Sequence, residues 1–439
     1  MEKIIDLFDF VWGIPLTIFV VLAGIYFSKM VNFMQITKIK KIIKRTIKTN
    51  DTNKRKSFKT ILSVLGGTVG AGNVVGISTA IAMGGPGAIF WMWIIALFSM
   101  ATKMVEVSLA VKHHKKDSKG NFYGGSMFYI TKIKGAAGKI LTSIYIIALL
   151  FYVLCDAGFV QINTISTSLI DTFNIPIIII GCVLIIISFI VILGGLKRVS
   201  NVLSKLVPIM CLFYILSALI VIIINIKNLP LAFEQIFKYA VSPAPMIGGF
   251  VGATVVQAIS KGAARGIFAN EAGTGTSTTV HATSDNTPIV QGMWGMIEVA
   301  FVSFIVCTIT ALLIMTTGSW TSGLSGAPMI LHSFETVFGT FGKHILCFVI
   351  VTFAYSTYIG FYFEFTTCIK YIFKEKYLKY LKWIYLIPVI IAVFLPIDII
   401  WTLADISVGF IIIPNIIALL LLRKEFKKLY LNEKNTLNL

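Results

Sequence analysis

Residues 175–193 carry no charged side chain, and residues 202–226 carry only Lys205. A helix needs about 20 residues to cross the hydrocarbon core of a bilayer, and apolar runs of that length recur along the whole chain. Hydrophobic residues make up 57% of the sequence and charged ones 13%, whereas soluble domains are roughly 45–50% apolar and about 25% charged. A water-soluble core cannot bury that excess. The chain therefore reads as an all-α integral membrane protein with one transmembrane domain over 1–439.

Hydropathy marks about eleven membrane segments, near 11–31, 58–83, 86–111, 139–168, 175–194, 202–226, 245–264, 289–317, 343–369, 383–396 and 399–422. The net charge of +19 would suggest a nucleic-acid partner in a soluble protein. Here it sorts by loop instead. The stretches 38–59, 112–139, 197–205, 370–382 and the tail from Arg423, together with Lys29, Lys261 and Arg265, hold 33 of the 38 basic residues. They fall in every second loop, so the positive-inside rule places the N-terminus outside and the C-terminus in the cytoplasm, in a multi-pass inner-membrane protein.

Two segments are unusually rich in glycine. The second contains Leu65-Gly-Gly-Thr-Val-Gly-Ala-Gly-Asn73, and the seventh contains Met246-Ile-Gly-Gly-Phe-Val-Gly-Ala-Thr254. Glycine costs about 1 kcal/mol relative to alanine inside a helix, so both clusters predict local unwinding. With the first segment set aside, each opens a group of five, and the two run in opposite directions. That is the signature of inverted repeats with discontinuous helices and a midplane site. On this reading 1–57 are an extra helix and a basic loop, 58–226 the first repeat, 245–422 the second, and 423–439 a tail.

Unwound backbone is tolerated in a membrane only where it lines a cavity or binds something. The N–H groups opening a half-helix attract a carboxylate, and free carbonyls attract a cation. Gly70 to Asn73 therefore suits a zwitterion with a monovalent cation, and the Asn73 side-chain oxygen can ligate Na⁺. Asp156, Gln161 and Asn163 in the fourth segment, Gln257 in the seventh, and Ser356 and Thr357 in the ninth add polar groups. Intramembrane charges are few (Lys103, Glu106, Asp156, Glu298, Glu364 and Asp405), and each is a functional candidate. Lys103 and Glu106, three apart, read as a structural pair. The stretch Arg265-Gly-Ile-Phe-Ala-Asn-Glu-Ala-Gly-Thr-Gly275, read as a loop, lacks the G-K-[ST] ending of a nucleotide site. The six cysteines lie in apolar runs without ligand spacing, and nothing asks for an enzyme.

These motifs resemble the alanine/glycine:cation symporter family over nearly the whole chain. The resemblance runs through Gly66-Gly-Thr-Val-Gly-Ala-Gly-Asn73, Gly84-Gly-Pro-Gly-Ala-Ile-Phe-Trp-Met-Trp93, Tyr123-Gly-Gly-Ser-Met127, Gln161-Ile-Asn163 and Ala264-Arg-Gly-Ile-Phe-Ala-Asn-Glu-Ala-Gly273. Asp405 and Asn415 close it. The chain differs at Ser126, Ala269, Thr274 and Thr276, where the family usually has Pro, Ser, Leu and Ser, positions expected mostly outside the pocket.

The resemblance implies a fold of leucine-transporter type, one helix preceding two inverted five-helix repeats with broken first helices. It implies Na⁺ held by Gly66, Val69, Asn73, Ser356 and Thr357. The substrate carboxylate would lie on Gly70, Ala71 and Gly72 near Asn73, and the rest of the molecule by Gln161, Gly249, Phe250, Gly252 and Thr254. The expected activity is Na⁺-coupled uptake of alanine or glycine, with no nucleic acid or obligate protein partner. The alternatives are glutamine as substrate, H⁺ as coupling ion through Asp156, Glu298 or Asp405, and a non-transporting sensor or channel.

Overall fold

The computed structural model describes residues 14–47, 64–65, 68–118, 120–373, 377–392 and 394–436. Apart from a short antiparallel ladder pairing Lys115–Lys116 with Phe122–Tyr123, its regular structure is helical. Six described runs are long and apolar enough to cross a membrane, and four shorter apolar helices accompany them. The elements that matter for the site are α1 (Ile14–Met30), α2 (Ala71–Gly84), α3 (Gly87–Lys112) and α4 (Ala136–Tyr152). A π-helical stretch, Val153–Val160, leads from α4 into α5 (Gln161–Phe173). Next come α6 (Ile177–Leu193), α7 (Gly195–Ile224), α8 (Leu229–Val241), α9 (Val255–Asn270) and α10 (Pro288–Ala300). A second π stretch, Phe301–Val306, leads to α11 (Cys307–Thr316). The chain ends in α12 (Ala327–Gly360), α13 (Tyr362–Phe373), α14 (Ile397–Leu421) and α15 (Arg423–Thr436).

The helices α2, α3, α9 and α10 pack as one group, and α4 and α5 pack against α14 and α12. Close packing of the first group depends on small residues. A Cβ at Gly262 on α9 would stand 2.3 Å from the Ala88 carbonyl of α3, and one at Gly292 on α10 would stand 2.3 Å from Ser108 Oγ. In lipid, where helices gain no hydrophobic drive toward each other, such approach lets backbones touch. The outer faces of α6 and α7 expose Ile178, Ile186, Ile190, Ile209, Leu212 and Ile223, a surface suited only to acyl chains. Cys182 is exposed on α6, while the other five cysteines are buried and all six are free.

The helices α2 and α9 lie antiparallel. Gly84 faces Gln257 and Lys261, Gly76 faces Arg265, and Gly72 faces Phe268. This pairing corrects the seventh segment. Residues 245–254 are a hairpin, not membrane helix, bridged at Ala244 with Ala253 and at Ile247 with Phe250. Gly248 (φ 58°) and Gly252 (φ 85°) turn it. Thr254 and Gln257 form the capping box that starts α9.

At the opposite end, Lys112 and His113 bind Glu425 of α15, at 2.8 and 2.6 Å, and His114 bonds the Ala282 carbonyl. Partial burial would raise the Glu425 carboxyl; the bonds from Lys112 and His113 outweigh it and hold the group below its ordinary value. Three stretches read from charge as lying on one side thus meet at one end of the molecule.

Candidate functional site

The first break lies at Val69 and Gly70, between helical Thr68 and Ala71. Val64 and Leu65 are helical, Gly70 is extended (φ −132°, ψ −161°), and α2 begins at Ala71. Gly66 lies outside the described residues. Asn73, fully buried, donates its amide to the Thr68 carbonyl at 2.7 Å and so ties the two sides of the break together. The Asn73 carbonyl accepts from Thr310 Oγ1 of α11 at 3.1 Å. The Asn73 N–H turns back to the Gly70 carbonyl at 3.1 Å, while those of Ala71 and Gly72 open the helix without an i−4 acceptor at the positive end of its dipole.

Gly70 sits against α12. A Cβ there would lie 1.9 Å from Thr357 Oγ1 and 2.8 Å from Thr357 Cβ. The Thr357 hydroxyl is buried and has no hydrogen-bond partner among the described residues. Its neighbour Ser356 donates to the Phe353 carbonyl at 2.8 Å, which still leaves the oxygen lone pairs free. Gly70 and Thr357 thus come together, with a hydroxyl oxygen that lacks a partner among the described residues.

The second break lies elsewhere than the glycine cluster suggested. The helix α9 ends at Asn270, Glu271 caps it in the left-handed region (φ 53°), and Gly273 (φ 90°) and Gly275 (φ 76°) carry the chain to the short helix Thr278–His281. A non-glycine residue at positive φ is uncommon. The stretch is buried, and its backbone is taken up by side chains from other helices. The Gly273 N–H donates to Glu106 Oε2 at 3.2 Å, and the Gly273 carbonyl accepts from Asn415 at 2.9 Å. The Thr274 carbonyl accepts from Tyr145 at 3.0 Å, and that of Gly275 from Ser126 at 2.9 Å. Lys103 donates to the Asn270 carbonyl at 3.0 Å and lies 3.4 Å from Glu298 and 3.9 Å from Glu106. Glu298 in turn binds His281 at 2.9 Å. The Lys103–Glu106 pair is part of this larger network.

Three of the four departures from the family pattern sit in it. Thr276 donates to the Glu271 carboxylate, Thr274 bonds Thr276, and Ser126 meets Thr278 as well as Gly275. They were expected mostly outside the pocket; Thr274 and Thr276 lie in the second break, and Ser126 bonds to it.

Gln161 opens α5, which packs against both α2 and α12. Its amide donates to Asp156 at 3.1 Å, and its buried Oε1 has no partner among the described residues. Gly249, Phe250, Gly252 and Thr254 are not at this site. Phe250 packs at Gly85, the cap at the far end of α2, about 20 Å from Gly72 at 1.5 Å per residue. The Gly249 N–H bonds the Thr321 carbonyl, and Thr254 is the exposed cap of α9.

Two residues read as loop or left unpaired form the best-defined contact nearby. Arg265 is buried in α9 and grips Asp405 of α14 with both nitrogens, at 2.5 and 2.9 Å, beneath Trp401 at 4.6 Å. Phe268, one turn on, stands over Gly72 and 5.7 Å from Trp401. The isolated charge of Arg265 between Ala263-Ala264 and Gly266-Ile267-Phe268 is the signal that could have placed it inside a helix.

A model of the sodium:alanine symporter family matches residues 1–436. The chain is 32% identical to the sodium/alanine symporter AgcS of Methanococcus maripaludis, over 94% of this chain and 93% of that protein. It is also 32% identical to the probable sodium/glutamine symporter GlnT of Bacillus subtilis, over 95% of this chain and 87% of that protein. Among solved structures, MhsT in complex with L-phenylalanine superposes with a TM-score of 0.61 at 13% identity, covering 83% of this chain and 88% of that one, which shows a shared fold.

Proposed function

The chain belongs to the sodium:alanine symporter family, and from that premise we propose that it takes up alanine or glycine with Na⁺ by alternating access. The coarser statement needs no proposal: it is a multi-pass membrane transporter that couples amino-acid movement to Na⁺, and not an enzyme. The finer reading rests on one observation, the unpartnered Thr357 hydroxyl buried against Gly70 at a broken helix. Na⁺ there joins α2 to α12, with Val69, Ser356 and Asn73 as further oxygen donors. The Gly70, Ala71 and Gly72 backbone takes the substrate carboxylate, and Gln161 the amino end. Phe268, which stands over Gly72, is the wall we assign to the substrate side chain, a bulky limit that favours alanine or glycine over glutamine. The repeats are 58–226 and 245–422, the membrane is the inner one, and the N-terminus lies outside.

The reading is tested by labelled-alanine uptake into proteoliposomes. An inward Na⁺ gradient should stimulate it, glutamine should compete poorly, and a pH jump without Na⁺ should not replace it. Uptake indifferent to Na⁺ sinks the proposal. Thr357→Ala should raise the Na⁺ concentration for half-maximal uptake about tenfold, the equivalent of about 1.4 kcal/mol, with alanine affinity at saturating Na⁺ kept. Gln161→Ala should do the reverse, weakening alanine binding about ten- to hundredfold at saturating Na⁺, as expected for a lost bond to a charged group of about 1.5–3 kcal/mol. Titrations of uptake against each solute separate the two.

A further inference from the structure

We propose a second Na⁺ site, between the two breaks, formed by the carboxylates of Glu271 and Glu364 with the hydroxyls of Ser277 and Thr68. A small cavity is lined by these four residues, with Val280 and Phe361 among its walls. Phe361 follows Thr357 by four residues, so the cavity lies about 6 Å further along the helix than the Gly70 contact. The inference rests on the Na⁺-coupled reading and adds a site to it.

Glu271 and Glu364 are each 4% exposed and lie within electrostatic reach of each other. Thr276 donates to Glu271 Oε2, and Thr279 donates to Glu364 Oε1 at 2.7 Å. Glu364 Oε2 and, independently, Ser277 Oγ are buried in the cavity wall with no hydrogen-bond partner among the described residues. Lys103 attracts both carboxylates from a distance, but no cationic side chain lies within ion-pair contact of either among the described residues. Lys103 is committed to the Asn270 carbonyl and to Glu298, and Arg265 to Asp405. An unpaired buried carboxylate costs several kcal/mol, so two facing one cavity call for a cation between them. The donors are all oxygen, which suits a hard ion and not a transition metal, and Na⁺ is the hard ion this symporter moves.

The four ligands come from both broken helices and from α13. Occupation therefore ties the first break to the second, whereas the Thr357 site ties it only to α12.

The test is the Na⁺:alanine ratio, read from the reversal potential of alanine flux in proteoliposomes. Glu364→Gln should lower the ratio by one Na⁺. Ser277→Ala, which removes one hydroxyl and no charge, should keep the ratio and raise the Na⁺ requirement about fivefold, the equivalent of about 1 kcal/mol. If Glu364→Gln does not fold, Ser277→Ala decides alone. An unchanged Na⁺ requirement in Ser277→Ala overturns the site, as does an unchanged ratio in a transporting Glu364→Gln. A ratio that shifts for H⁺ and not Na⁺ overturns it too, since the occupant is then a proton. Wild-type uptake that ignores Na⁺ instead removes the symporter reading on which the site rests.

Discussion

Gly70→Ala should insert in the membrane but retain about a tenth of wild-type Na⁺-stimulated uptake or less. The added methyl would stand 1.9 Å from Thr357 Oγ1, a separation that no pair of unbonded heavy atoms adopts, so α2 and α12 must part. Overpacking costs roughly 1–3 kcal/mol, and each factor of ten corresponds to about 1.4 kcal/mol. The strain falls on the contact where the cation is proposed to bind. Combining it with Thr357→Ala removes the clashing oxygen but leaves Cβ at 2.8 Å. The double variant should therefore regain thermal stability in part while its Na⁺ dependence stays weak. Purified protein in detergent, with melting followed across a Na⁺ series, reads both quantities. A Gly70→Ala protein that transports and responds to Na⁺ like wild type would remove the contact from the mechanism.

Asp405→Asn should be the most damaging single change to folding. It leaves the Arg265 guanidinium buried without its carboxylate, and breaking a buried pair from one side costs about 3–5 kcal/mol. The expected result is little folded protein in the membrane, measured as the monodisperse fraction after solubilisation. Arg265→Met with Asp405→Leu should recover much of that yield, since replacing both partners by apolar residues is often neutral. Whether the recovered protein also transports then reports on what the pair does beyond stability, because Arg265 stands between Gly76 of α2 and Trp401 of α14. Wild-type yield from Asp405→Asn alone would show that the guanidinium finds another partner.

The membrane class, the helical architecture and the first break were legible because they depend on local properties. Long apolar runs report lipid contact, and Gly70 and Gly72 allow backbone approach whatever surrounds them. The second break was misplaced because composition is ambiguous there. Residues 246–252 and 66–72 are both glycine-rich, but Gly248 and Gly252 turn an exposed hairpin. The true break, with Glu271, Thr274, Thr276 and Ser277, is polar enough to read as a loop. It belongs inside the protein only because Glu106, Tyr145, Ser126 and Asn415 arrive from distant parts of the chain to satisfy it. The same non-locality hid the Arg265–Asp405 pair, whose members are separated by most of the second repeat.

The two breaks are fastened differently. Asn73 bridges the first, and the Thr357 hydroxyl beside it has no partner among the described residues. The second is pinned at Gly273, Thr274 and Gly275 by four side chains, Glu106, Asn415, Tyr145 and Ser126. The two broken helices thus differ in mechanics: one behaves as the clapper and the other as the bell. Backbone amides around Gly70 should accordingly trade hydrogen for deuterium far sooner than those around Gly273, and solutes that slow the exchange should act on the first set alone.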